Sequence, residues 1–284
     1  MSTHPRLACI TLFPIKSLDG VAVDRTVLTA AGSLAGDREF ALLDAQGKFI
    51  NGKRNAAIHQ IRATFDLAQR FVTLRLQADS QPATTFHLDH DRAALAAWFS
   101  DYFQQPVTIT QNREAGFPDD PAAWGPTLIS TGSIATVASW FPDLTVAELR
   151  DRLRTNLEID EVEPFWEERL YSTAGNGIPF QIGAVPFLGT NPCQRCIVPT
   201  RNSQTGEPTA QFQKTFMAQR QTTLPPWAER SRFNHFYRLA INTQVPAIDP
   251  NSPAANDESR MLQVGDRLTL ASDSIRPLAR INPL

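Results

Sequence analysis

The residues with the clearest chemical potential are two cysteines, Cys193 and Cys196, in the segment 191–201, which reads NPCQRCIVPTR. Arg195 lies between them, and Arg201 follows Cys196 by five positions. Cationic neighbours favour the thiolate, which is the form of cysteine that attacks electrophiles and binds soft metals. The pattern alone leaves four roles open: a redox pair, a zinc site, a catalytic or metal-binding thiolate, or two buried cysteines that pack as small hydrophobic residues.

The remaining cysteine and the histidines bear on these alternatives. Only Cys9 lies outside the pair, and the first residues lack the pattern of a secretory signal peptide. An odd, low cysteine count in such a chain is typical of a reducing compartment, so we expect a cytoplasmic protein without a disulfide framework. A structural zinc site needs two further ligands. The histidines are all distant from the pair in sequence, which gives zinc little support, and we expect them to be structural: His4, His59, His87, His90 and His235.

The composition of the 284 residues excludes several classes of protein. The 27 basic and 29 acidic side chains give a formal charge of −2, whereas a general nucleic-acid binder or a polybasic membrane anchor needs a basic surplus. No apolar run approaches the roughly 18 residues of a membrane span. Hydrophobic residues make up 42% and charged residues 20%, which is typical of a globular protein rather than a disordered one. The 21 prolines favour short strands over long helices.

The elements that must position the cysteines are mainly strands. Alternating or apolar runs predict strands over 7–13, 37–44 and 71–76, with a hairpin turn at Gln46–Gly47. Aromatic and leucine residues at helical spacing predict a helix over 91–104. We therefore predict an α+β fold that is mainly β.

The second half of the chain has fewer clear strands. The segment 113–126 is rich in Pro, Gly and Asp, and we predict it to be a loop that divides the chain into domains at 1–115 and 116–284. Helices are predicted over 130–140, with Ser130, Thr131 or Ser133 as N-cap, and over 146–152. An amphipathic stretch covers 209–220. Two β-like pieces flank a turn at Gly265–Asp266.

Three further segments accompany the cysteine motif. PIKSLDG (14–20) follows the first predicted strand, GDREF (36–40) opens the second, and RLRTN (152–156) precedes a third; CQRCIVPTRNSQTGE (193–207) completes the series. In this order the chain resembles the MOSC family (molybdenum cofactor sulfurase C-terminal domain) with its N-terminal β-barrel domain. It is most similar to the reductase branch, which contains the mitochondrial amidoxime-reducing component and bacterial relatives.

The resemblance implies a β-barrel-like N-terminal domain, a MOSC β-barrel domain with a few short helices, and a molybdenum cofactor. In that cofactor a pterin dithiolene and one protein cysteine hold the metal. Cys196 matches the metal-ligating, catalytic cysteine, and Cys193 matches its less critical neighbour. The other positions matched to cofactor contacts are Lys16, Ser17, Arg38, Ser130, Thr131, Arg154, Asn156 and Arg195.

The activity that the resemblance implies is reduction of N-oxygenated compounds such as amidoximes, hydroxylamines and hydroxamic acids. Two alternatives stay open: a sulfur carrier with a cysteine persulfide, and a non-catalytic cofactor carrier. The chain departs from the family where Thr155 replaces a proline and Pro199 a threonine, which affects the expected substrate scope. Because the sequence has no iron–sulfur cluster motif and no nucleotide-binding glycine motif, we expect an external electron donor protein of ferredoxin or flavoprotein type, a small-molecule substrate, and neither nucleic acid nor membrane as partner.

Overall fold

The computed structural model describes residues 5–78, 82–120, 123–246, 257–271 and 275–278. The fold is α+β and mainly β, which confirms the predicted class. The first half of the chain contributes these strands: β1 (Arg6–Leu12), β2 (Val21–Val23), β3 (Arg25–Val27), β4 (Phe40–Leu43), β5 (Ile61–Asp66), β6 (Phe71–Leu76), β7 (Thr84–His87) and β8 (Thr108–Gln111).

The second half contributes the remaining described strands and most of the helices. The strands are β9 (Leu128–Ser130), β10 (Leu157–Asp160), β11 (Asn176–Ile182), β12 (Val185–Gln194), β13 (Arg238–Gln244), β14 (Met261–Gln263), β15 (Leu268–Leu270) and β16 (Arg276–Pro277). The α-helices are α1 (Arg92–Phe103), α2 (Thr131–Ala138), α3 (Val146–Leu153) and α4 (Phe212–Thr222).

One large sheet joins both halves of the chain. Its strand order is β15-β11-β12-β13-β9-β10-β1-β2, and β16 adds to β11. All of its pairs are antiparallel except β9 with β10. The first two strands of the predicted N-terminal domain therefore belong to the sheet that carries the cysteine segment, and the Thr11 N–H of β1 donates to the Asn156 carbonyl at 2.7 Å.

Smaller sheets complete the first half. β5, β6 and β7 form an antiparallel meander, β4 pairs with β8, and β3 pairs with β14. Phe40 and Phe99 lie at the centre of the core between these strands and α1, each almost without solvent exposure. A second core fills the large sheet, and a third packs α2, α3 and α4, with the rings of Phe141 and Phe212 stacked at 4.4 Å.

Most predicted elements occur close to their predicted bounds, including the two β-like pieces that flank Gly265–Asp266. The strand over 71–76 is present as predicted, and Ser130 is the N-cap of α2, where its Oγ accepts a hydrogen bond from the Ser133 N–H at 3.1 Å. The pieces flanking Gly265–Asp266 do not pair with each other. The Gly265 N–H donates to the Leu7 carbonyl at 2.7 Å, so the turn is attached to β1, and its strands separate to β3 and β11.

A buried carboxyl beside α2 gives a stability prediction. Glu167 is fully buried and accepts a hydrogen bond from Ser133 Oγ at 3.0 Å. Burial, together with the adjacent Glu168, raises the pKa of Glu167 to about 7 from the usual 4.5. Between these values the folded protein binds more protons than the unfolded chain, so this group makes the free energy of unfolding fall as the pH rises from about 4.5 to about 7. The loss is on the order of 3 kcal/mol.

We expect Glu167→Gln to remove this contribution, because an amide does not ionise. Urea unfolding at pH 5 and pH 8 measures it: the difference in free energy of unfolding between the two pH values should shrink in the variant. Glu161→Gln, at a carboxylate with a side chain 56% exposed, is the matched control and should behave as the wild type. An unchanged pH dependence in Glu167→Gln contradicts the assignment.

Candidate functional site

A cavity of about 630 Å³ opens where the end of β12, the end of α3 and the 14–20 and 113–126 segments meet. Seven of the ten residues predicted from the sequence as metal or cofactor contacts line it: Ser17, Arg38, Arg154, Asn156, Cys193, Arg195 and Cys196. Their motifs are separated by up to about 180 positions in the chain, so the fold, rather than local sequence, brings them together.

The two cysteines have different environments in this cavity. Cys193 is 5% exposed at the end of β12, and its thiol donates a hydrogen bond to Asn242 Oδ1 at 2.7 Å. Burial raises the pKa of the Cys193 thiol to about 12, despite the opposing effect of Arg195, so this cysteine is protonated at neutral pH. Cys196 lies in the following loop and is partly exposed to the cavity. The geometry therefore favours Cys196 as the thiolate ligand.

Arg38 is held in a fixed position under the cavity. Its backbone is left-handed, with φ of 49°, and its guanidinium donates to Asp37 and, at 3.3 Å, to the Arg154 carbonyl. The Cζ atom lies 5.2 Å from the centroid of the Phe13 ring. Burial alone lowers the pKa of Arg38, but Asp37 and Asp119 outweigh it and raise the pKa above the usual value. Arg38 is therefore a permanently charged, rigid cation.

Arg154 is a second cation of the cavity. It ends α3 in a left-handed conformation, with φ of 54°, and its Cζ stacks 4.2 Å from the centroid of the Phe13 ring. Burial, and then repulsion by Arg38, lowers its pKa to about 10. Among the described residues, its Nη2 has no hydrogen-bond partner and its guanidinium has no ion pair. A cation buried in this way is costly unless an anion joins it.

Asn156 has a positioning role. Its Nδ2 donates to the Thr11 carbonyl of β1 at 3.1 Å, and its Oδ1 accepts from Thr127 Oγ1 at 3.2 Å and from Arg38 Nη1 at 3.4 Å. These contacts join β1 and the start of β9 to Arg38. The side-chain amide thus fixes the cationic floor of the cavity.

Lys16 lies beside the cavity and does not line it. The side chain is 7% exposed, and Nζ donates to the Phe117 carbonyl and to Asp119 Oδ1, both at 2.8 Å. Burial lowers the pKa of Lys16, and Asp119 opposes that effect. Lys16 therefore fastens residues 117–119, which belong to one wall of the cavity together with residues 123–126. Ser17 follows with φ of 74° and accepts from the Gly52 N–H at 3.4 Å.

Ser130 and Thr131 do not line the cavity, and their predicted cofactor contact stays a prediction. Ser130 is fully buried, and its Oγ is used in capping α2 and in a 2.7 Å hydrogen bond with Ser133 Oγ. Hydroxyl residues at a helix start look alike in the sequence whether they cap the helix or bind an anion, and here the cap explains Ser130.

Several lining residues were not identified from the sequence: His59, Asp119, Asp120, Trp124 and Asn242. Three of them lie in the 113–126 segment, which we predicted to be only a dividing loop. Its length was the available signal, because a loop of that size inside a folded protein is often functional. His59, predicted to be structural, and Asn242 lie in segments without a recognisable motif, and only the tertiary fold identifies them.

The charge of the cavity fits an anionic ligand that also needs a thiolate. Seven basic and three acidic side chains line it. Besides Arg154 Nη2, the buried Nε atoms of Arg195 and Arg238 have no hydrogen-bond partner within the described part of the chain. A molybdenum pterin with a phosphate group requires these features, namely one soft thiolate and several guanidinium donors. The described ranges contain no cluster of three or more His, Cys, Asp or Glu that could hold a metal ion, so the zinc alternative gains no support.

The described helices also bear on membrane association. None of them combines the length and the apolar composition of a membrane span.

Comparison with known proteins finds two family profiles along the chain. The profile of the MOSC N-terminal β-barrel domain matches residues 4–106, and that of the MOSC domain matches residues 127–269. A molybdenum cofactor sulfurase of Drosophila willistoni is 27% identical over 236 residues, which cover 72% of this chain and 28% of that protein. Molybdenum cofactor sulfurase 2 of Culex quinquefasciatus is 25% identical over 253 residues, covering 75% and 32%. The chain thus spans less than a third of the length of these relatives.

A crystal structure described only as that of a hypothetical protein superposes with a TM-score of 0.41 at 11% identity, over 96% of this chain and 72% of that one.

Proposed function

The chain belongs to the MOSC family, with an N-terminal MOSC β-barrel domain, and on that premise we propose that it is a molybdenum-cofactor-dependent reductase of N-oxygenated compounds. The family and its relatives associate it with the molybdenum cofactor. The substrates are amidoximes, hydroxylamines and hydroxamic acids. The net reaction takes two electrons and two protons, breaks the N–O bond, and releases the oxygen as water.

The single observation that supports this proposal is the shared cavity. Cys196, Arg38, Arg154 and Arg195 all line one cavity of about 630 Å³, which has a surplus of basic side chains. When bound, the cofactor supplies a two-electron redox centre. Cys196 would be the thiolate ligand of its metal, and the arginines would bind its anionic groups.

The chain's own residues prepare the cavity for this ligand. Asn156 and Asp37 hold Arg38 in place, so its charge needs no reorganisation when an anion binds. Lys16 holds Phe117 and Asp119, beside the cavity, in place through two hydrogen bonds. Trp124, from the 113–126 segment, provides an aromatic surface in the cavity, which suits a planar substrate such as an aromatic amidoxime.

A second candidate function is a sulfur carrier in which Cys196 holds a persulfide. Two observations favour it: the relatives are named molybdenum cofactor sulfurases, and Cys196 is partly exposed, as a thiol that accepts sulfur must be. If the chain is a sulfur carrier, its basic cavity would bind the cofactor only while sulfur is delivered.

Metal and sulfur analysis of the freshly purified protein separates the candidates. A reductase should contain about one molybdenum and one pterin per chain, and should reduce benzamidoxime with an artificial donor. A sulfur carrier should show a reducible persulfide on Cys196, by mass spectrometry, without stoichiometric metal. Protein that releases intact cofactor to an acceptor, and reduces nothing, would instead be a carrier. Either of the last two results contradicts the reductase proposal.

A further inference from the structure

A second cavity, of about 300 Å³, adjoins the first. Ser17, His59, Arg152, Arg154 and Val198 line both cavities, whereas Cys196 lines only the first. We propose that this second cavity is a binding site for a phosphate-class oxyanion, held by Arg62, Arg154 and Arg201. The proposal concerns the apoprotein as well as the loaded protein, so it stands or falls separately from the proposed reductase activity.

Arg201 carries a positive charge that the structure leaves uncompensated. Its Nη1 donates to the Gly206 carbonyl at 3.1 Å, and its buried Nε has no hydrogen-bond partner among the described residues. No carboxylate in the described ranges lies within ion-pair distance of its guanidinium. A guanidinium in this state retains donors for a planar, bidentate interaction with an oxyanion.

Arg62 faces the same cavity from β5 and is rigidly placed. Its Nη2 donates to the His59 carbonyl at 2.6 Å and to the Ser203 carbonyl at 3.1 Å, while Nη1 forms an ion pair with Asp19 at 3.2 Å. Its buried Nε has no partner among the described residues. Arg62 therefore joins the 56–60 segment to the 201–206 turn.

The turn that carries Arg201 is fixed by close packing. Gly206 has φ of 77°, and a Cβ atom there would lie 2.6 Å from the Ala56 carbonyl oxygen and 3.4 Å from His59 Cβ. The turn therefore docks directly on the 56–60 segment. Because both arginines are held by backbone carbonyls, the site is formed before any ligand arrives.

The acidic side chains of the cavity do not cancel its charge. Four arginines line it against two carboxylates, Asp19 and Asp151. Asp19 is already engaged by Arg62 and by the Ala63 N–H, at 2.9 Å, and Asp151 is exposed to solvent at the rim. Arg154, which lacks an ion pair, lies on the shared wall. Arg152 is paired with Glu148 at 2.7 Å, so the unpaired positive charge among the described lining residues is that of Arg154 and Arg201. Two such guanidinium groups favour an anion with several acceptor oxygens, such as phosphate.

Two sources of that phosphate group share this chemistry. It is either the phosphate end of a ligand that fills the first cavity and passes Arg154 and His59, or a separate inorganic phosphate. Because the same residues line both cavities, a ligand in the first cavity could extend its phosphate into the second. Pterin content distinguishes the two sources.

The test begins with inorganic phosphate and protein purified in phosphate-free buffer. Isothermal titration calorimetry at constant ionic strength should detect one phosphate site in the wild type. Arg201→Met should weaken binding by about tenfold or more, which corresponds to loss of one charge-assisted hydrogen bond. Arg75→Met is the matched control, because Arg75 is exposed on β6, outside both cavities, and it should bind as the wild type. Because bound pterin would occupy the site under the first source, the titration is carried out on protein whose pterin content is zero by analysis. In that protein, absence of a phosphate site, or equal affinity in Arg201→Met, overturns the proposal.

A second measurement avoids any dependence on how Arg201→Met folds. Phenylglyoxal modifies accessible arginines, and peptide mass spectrometry reports the rate at each position in the wild type. Phosphate should slow modification of Arg201 several-fold and leave Arg75 unchanged. Equal protection of both, or of neither, contradicts a site at Arg201.

The pterin content of the purified variant then identifies the source. If the phosphate belongs to the ligand of the first cavity, Arg201→Met should lower the retained pterin, and added phosphate should displace pterin from the wild type. If the phosphate is separate, pterin content should be unchanged while phosphate binding is weakened. Both results support the oxyanion site, and neither requires reductase activity.

Discussion

Cys196→Ser is expected to lose molybdenum and all reduction of N-hydroxylated substrates while remaining folded. Serine is a poor ligand for a soft metal, because its hydroxyl is not deprotonated at neutral pH. Loss of an outer-shell partner alone typically costs about 10–100-fold in metal affinity or activity, and loss of the direct ligand should cost more. One preparation of the variant serves three measurements. Metal analysis reports the molybdenum content, benzamidoxime turnover reports the activity, and circular dichroism reports whether the protein is folded.

Cys193→Ser is the matched control, three residues away in the same cavity. Its thiol is buried and already donates to Asn242 Oδ1, and a serine hydroxyl can donate the same hydrogen bond. We therefore expect near-wild-type metal content and turnover. Should Cys193→Ser be inactive and Cys196→Ser active, the assignment of the ligand is reversed, and the protonated state inferred for Cys193 is wrong.

The sequence predicted many of the residues that line this cavity, but it did not predict how they are held in place. Arg38, Arg154 and Cys196 were identified because each lies in a short motif, and such motifs occupy turns at strand or helix ends where side chains face a common space. Arg38 and Arg154 both have left-handed backbones, a conformation that costs free energy in non-glycine residues. That local requirement does not appear in any periodicity of the sequence.

What the sequence did not predict depends on contacts between distant segments. The ammonium of Lys16 is bound by Phe117 and Asp119, about a hundred positions away, while its predicted contact with the cofactor stays a prediction. His59 and Asn242 reach the cavity only because the 56–60 segment and β13 pack beside the cysteine loop. The C-terminal strands likewise pair with β3 and β11 instead of each other, a choice that the turn chemistry of Gly265–Asp266 does not specify. The division of the chain at residue 115 stays a prediction.

The proposed reductase needs an external source of electrons. Reduction of one N–O bond consumes two electrons. The sequence has three cysteines, of which two belong to the C-x-x-C pair, so it cannot form an iron–sulfur cluster of four cysteines. It also contains no G-x-G-x-x-G motif for a nicotinamide or flavin nucleotide. We propose that a separate ferredoxin-type or flavoprotein donor delivers the electrons.

We therefore expect the molybdenum-loaded protein to show no turnover above background with NADPH and benzamidoxime alone. Reduced methyl viologen, a one-electron donor that needs no docking site, should restore turnover, and so should a ferredoxin with its reductase. The protein-dependent rate should saturate only at high donor concentration, because electron carriers form small, transient interfaces. Cys196→Ser, assayed with reduced methyl viologen, controls for direct chemical reduction of the substrate. NADPH-dependent turnover by the isolated chain would contradict the need for a separate donor, whereas inactivity of fully loaded protein with reduced methyl viologen would contradict the reductase function and favour the sulfur carrier.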